Sequence, residues 1–134
     1  MQLPSLFSIA SLLCILSHVQ GQTTPPMQHA GTMFIFDPGL GACGFSNTSS
    51  QIVASVSQQV FRSFPGATPN PNKNPICRRK ATIKYDGKSL TAAIVDFFPD
   101  NGPAQHNIGL SLPGFTFFAP ESDGIVPNVT WSIV

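Results

Sequence analysis

The strongest constraint on the fold is a pair of strand-like runs, residues 80–85 (KATIKY) and 88–96 (KSLTAAIVD), separated only by Asp86-Gly87. Asp-Gly between β-rich runs is the preferred two-residue type I′ hairpin turn, since that turn needs positive φ at both positions. From Leu90 to Val95 the second run is apolar on both faces, the mark of a strand central to a barrel or sheet. It delivers a carboxylate, Asp96, at its end. The same pattern continues elsewhere. Residues 31–37 (GTMFIFD) read as a strand stopped by the turn Asp37-Pro38-Gly39, and residues 52–56 (IVASV), 108–110 and 125–134 read as three more. Helix is scarce. Ser57 can cap a short helix over 58–64, where Val60, Phe61 and Phe64 fall at helical spacing, and Ser111 can cap another over 111–118. Pro113 is tolerated in that first turn. Residues 65–75 (PGATPNPNKNP) and 97–107 are loops rich in breakers. Many short strands with Gly/Pro turns predict an all-β chain closed into a small barrel.

The first residues lie outside that pattern. Residues 6–16 (LFSIASLLCIL) form an apolar run of eleven without a charge. At ~1.5 Å per residue it is too short to cross a ~30 Å hydrocarbon core as a helix. Its length and position match the apolar region of a secretory signal peptide, and Val19-Gln20-Gly21 places cleavage after Gly21. The expected organisation is therefore a leader over 1–21, a Pro-rich flexible lead over 22–29 and one domain over 30–134. About 113 residues remain after cleavage, enough for a modest core.

Export decides how the cysteines are read. Cys14 leaves with the leader, so Cys43 and Cys77 remain, and two cysteines in an oxidising compartment most simply make one disulfide. Closing that loop would stabilise the fold by roughly 3–4 kcal/mol in the chain-entropy account. The rival, a metal site with His29 or His106, matches no zinc spacing, and no metal or other cofactor is expected. Asn47-Thr48-Ser49 and Asn128-Val129-Thr130 are glycosylation sequons, consistent with export. The formal charge is +1, which gives no electrostatic case for nucleic acid despite the run Arg78-Arg79-Lys80. No later apolar run is long enough to span a membrane as a helix, and a secreted monomer is expected.

Gly39-Leu40-Gly41-Ala42-Cys43-Gly44, then Asn74-Pro75-Ile76-Cys77, Gly87-Lys88-Ser89 and Val95-Asp96 occur in the order and spacing of a known family. The chain resembles the RlpA-like double-psi β-barrels of fungal loosenins, expansins, barwin and bacterial RlpA over roughly residues 30–134. The resemblance implies a small six-stranded double-psi β-barrel with one or two short helices and a disulfide between Cys43 and Cys77. Three departures stand out. The second cysteine pair usual after the central strand is absent, Gly109 replaces the aspartate of the family's "IDLS" segment, and the early strand carries Met33, Phe34 and Phe36 in place of tyrosine.

By resemblance Asp96 occupies the groove-aspartate position, and a carboxylate ending an apolar strand suits general-acid use. The competing role is structural, accepting backbone N–H bonds to organise the following loop. Glycoside hydrolysis ordinarily needs two carboxylates. Asp37, Asp100, Glu121 and Asp123 are the available partners, and Asp37 is read first as a turn residue. His106, ten residues beyond Asp96, is a second acid/base candidate, while Tyr85 and Trp131 are the best side chains for stacking on sugars. The leading expectation is an expansin- or loosenin-like protein that binds cellulose, chitin or peptidoglycan and loosens it without hydrolysis. The alternative is a barwin-like interaction protein, a protease inhibitor or host-interaction factor. A lytic transglycosylase or endoglucanase ranks last.

Overall fold

The computed structural model describes residues 20–21, 25–100 and 102–134. Most of the leader expected over 1–21 lies outside these residues.

Six strands close into a barrel: β1 (Gln28–Ile35), β2 (Val53–Ser57), β3 (Lys80–Tyr85), β4 (Lys88–Phe98), β5 (Ile108–Leu110) and β6 (Ile125–Ile133). Around the barrel the order is β1-β5-β2-β4-β3-β6. The pairs β1–β5 and β2–β4 are parallel and the other four antiparallel, so the chain must cross the barrel end between non-neighbouring strands. Closure leaves no unpaired edge among the described strands.

The hairpin forms as the sequence dictates. Tyr85 faces Lys88 across the turn, and Asp86 and Gly87 take φ of 48° and 73°. The helix α1 (Gln58–Ser63) starts at Ser57, whose hydroxyl accepts from the Val60 N–H at 3.1 Å. The second helix, α2 (Leu112–Thr116), is shorter than expected; Ser111 stands at its N-cap, but the Ser111 side chain makes no capping bond. Its buried hydroxyl accepts from Val53 N–H (3.0 Å) and donates to the Gln51 carbonyl (2.6 Å), fastening the start of β2 to the end of β5. With its proton given to Gln51 and a lone pair to Val53, the hydroxyl is turned toward the strands and makes no bond to the α2 amides.

β1 begins at Gln28, two residues inside the expected flexible lead, because His29 is anchored. Its ring stacks on Trp131 with centroids 4.1 Å apart. The core is filled by Met33, Phe61, Ile83, Ile94, Phe115 and Trp131 among others, all nearly inaccessible. Among the described residues no helix is long and apolar enough to cross a membrane.

Candidate functional site

Asp96 is aimed by an irregularity in β4. Along β2, Ala54 pairs with Ile94 but Ser55 pairs with Asp96, so Val95 is an extra residue and β4 bulges there. A bulge re-aims the side chains beyond it and leaves one residue out of the ladder. The freed Val95 carbonyl accepts from Cys43 N–H at 3.1 Å. The loop that supplies this amide crosses close above, because Gly41 has no side chain; a Cβ there would collide with the Val95 carbonyl. Asp96 completes the junction, its Oδ1 accepting from Ala42 N–H (2.9 Å) and from its neighbour Phe97 N–H (2.8 Å). Beside it, Cys43 and Cys77 form the disulfide, with Cα atoms 5.5 Å apart.

The register then shows what faces Asp96. Ser55 lies beside it on β2, Gly109 beside Ser55 on β5, and Phe34 beside Gly109 on β1. Gly109 is the position where the resembling family carries aspartate, and here a Cβ would meet the Phe34 ring and Phe36 Cβ at 3.1–3.3 Å. Phe34 packs edge-on against Phe98 at 5.0 Å, closing this row with aromatic rings. Among the described residues no three His, Cys, Asp or Glu side chains gather as a metal set would require.

The other expected site residues do not assemble around Asp96. Tyr85 sits at the turn end of the hairpin, eight positions back along β4's register and about 26 Å away at ~3.3 Å per residue. Trp131 is 1 % exposed, so it offers no stacking face to a sugar; its Nε1–H donates to the His106 carbonyl at 2.7 Å. It is buried because β6 turns that face inward and the indole N–H finds a backbone partner there. His106 pairs with His29, Nδ1 to Nδ1 at 3.0 Å, rather than with Asp96. Burial first, and then the charge of His106, hold the His29 pKa below its ordinary 6.5. Asp37 is exposed just beyond β1. Asn47 is half-buried with its Nδ2–H donating to Gln51 Oε1 at 3.3 Å, whereas Asn128 is exposed at φ 60°.

Two features escape the sequence reading. His29 looked like part of a mobile lead, and nothing local reveals a partner 77 positions away. Leu40 and Phe45 are the second, 77 % and 53 % exposed within the loop above Asp96. Their signal was present: two large apolar residues in a Gly/Ser-rich loop that has no charge from Pro38 to Ile52.

No protein-family model matches the chain. Among curated proteins, the papain inhibitor of Streptomyces mobaraensis is 32% identical over 100 residues, 73% of this chain and 65% of that protein, just under two thirds of its length. The solved Streptomyces papain inhibitor superposes with a TM-score of 0.72 and 30% identity, covering 82% of this chain and 97% of the other. The chain belongs to the same double-psi β-barrel family. An expansin of Clavibacter michiganensis, solved in complex with cellohexaose, shares the fold at TM-score 0.60 and 15% identity, over 81% of this chain and 50% of that one. At that identity only the fold is common. The double-psi barrel expected from the sequence is thus the observed architecture, with a papain inhibitor nearer in sequence than an expansin.

Proposed function

We propose that this protein is a secreted barrel that acts by binding another protein, in the first place a papain-class cysteine protease, and that it does not cleave polysaccharide. The observation that carries this reading is Gly109. It stands in register two strands from Asp96, at the position where the resembling family carries aspartate, and Phe34 fills the space above it. Asp96 itself has one oxygen committed to two backbone amides, a positioning role. The sequence likeness to a papain inhibitor, set against a fold-only likeness to an expansin, supports the same choice. The apolar run before Gly21 and the Cys43–Cys77 disulfide support an extracellular setting.

The test is a titration of the purified protein into papain acting on a peptide substrate. Saturable inhibition at near-stoichiometric amounts supports the reading, and unimpaired hydrolysis at a large excess contradicts it. A second reading, wall-polysaccharide binding, has one observation in its favour: the fold is shared with an expansin solved in complex with cellohexaose, and by the sequence resemblance Asp96 takes the groove-aspartate position. Retention on insoluble cellulose, chitin or peptidoglycan that Asp96→Ala weakens would favour it instead.

A further inference from the structure

The loop over residues 39–47 is held in one conformation from several directions. Gly41 N–H donates to the Phe45 carbonyl (3.0 Å), Gly44 N–H to the Gly41 carbonyl (2.9 Å) and Asn47 N–H to the Gly39 carbonyl (2.9 Å). Leu40 and Ser46 bridge as an isolated antiparallel pair, so the loop is a tight, closed excursion. Its base is fastened to β4 through Cys43 N–H on Val95 and Ala42 N–H on Asp96, and to residues 71–78 through the disulfide. Gly44 at φ 81° lies against the Asn72 side chain, where a Cβ would meet it at about 3 Å.

Such restraint would be unremarkable if the loop were polar. Instead it displays Leu40 and Phe45 to solvent, in a stretch with no charged side chain. Large apolar groups on a rigid support lose little conformational entropy on binding, which is what makes a preorganised anchor effective. An uncharged apolar projection fits a concave apolar pocket, and enzyme clefts are the concave sites that accept such anchors.

Resting on the inhibitor reading above, we propose that the Leu40–Phe45 loop is the segment that enters the protease's substrate cleft, with Leu40 and Phe45 as its two anchoring side chains. Asp96 is then a positioning residue, fixing Ala42 between the two anchors. The partner is a cysteine protease whose cleft carries an apolar side-chain pocket.

The experiment measures inhibition of papain by the wild-type protein, by the double variant Leu40→Lys/Phe45→Lys, and by Phe117→Lys, an apolar side chain of similar exposure on α2's C-terminal end. Thermal melts accompany each, and since all three side chains lie on the surface the barrel should persist. The expected result is a loss of inhibition by at least ~30-fold in the double variant, the range of hot-spot truncations, and a change within ~2-fold for Phe117→Lys. Equal inhibition by wild type and double variant overturns the loop while leaving the inhibitor reading standing. Absence of inhibition by the wild-type protein overturns both.

Discussion

At the scale of single residues, Asp96 and His29 show how identical chemistry takes its meaning from its neighbours. Asp96 is expected from sequence to end its strand, but β4 continues through Phe97 and Phe98, and the Asp96 Oδ1 holds the Ala42 and Phe97 amides. Removing that acceptor leaves two N–H groups to find new partners, at about 1–3 kcal/mol where they stay shielded. Asp96→Ala should therefore lower the urea midpoint, and Asp96→Asn, which keeps a side-chain oxygen, should lower it less. Equal losses would mean that the charge matters rather than the acceptor. His29 answers to pH. Its folded pKa lies below the 6.5 of the unfolded chain, so as pH falls the unfolded state takes up a proton first. Its contribution to stability is full at pH above about 7.5 and declines as pH drops through 6.5 toward the lower folded value. The Nδ1–Nδ1 bond survives one proton on the pair but not two, because each ring then offers only donors there. Histidine Cε1 proton shifts followed by NMR should give His29 a midpoint below 6.5, and His106→Gln should raise it. A midpoint at or above 6.5 in the wild type would contradict this account.

At the scale of elements, what was legible depended on how local the determining interactions are. The β3–β4 hairpin was readable because Asp86-Gly87 prescribes the turn and the runs on either side supply the pairs. The start of α1 was readable for a similar reason, a serine three residues before the amide it caps. The start of β1 was not, since His29 is ordered by Trp131 and His106, far along the chain. Nor was the use of Ser111, whose partners at Val53 and Gln51 lie at the start of the neighbouring strand but 58 and 60 positions away along the chain. The bulge at Val95 belongs to the same class, being fixed by Gly41 and Cys43 from another loop. That crossing carries a prediction. Gly41→Ala drives a methyl group into the Val95 carbonyl, a backbone atom that cannot rotate aside, and should cost about 1–3 kcal/mol in equilibrium unfolding. An unchanged midpoint would mean that the loop does not lie on β4 as described.

At the scale of the molecule, the barrel explains why a motif match told more about architecture than about chemistry. The glycines and cysteines around 39–44 and 74–77 serve the crossing of the chain over its own strands, and any activity must be built on that frame. The two side chains expected from sequence to stack on sugars, Trp131 and Tyr85, meet different placements. One is sealed in the core behind His106, and the other lies at the far end of the hairpin from Asp96. Composition could not disclose either, because aromatic residues look alike until the register assigns them a side. What remains at the Asp96 end is a loop with two exposed apolar side chains, and a glycine two strands away where the resembling family carries aspartate. This combination suits holding a partner better than breaking a glycosidic bond. Calorimetric titration of papain with the purified protein is the most direct test. The account predicts saturable one-to-one binding with a negative heat-capacity change, the signature of buried apolar surface. No heat of binding to papain, together with firm retention of the protein on cellulose, would contradict it.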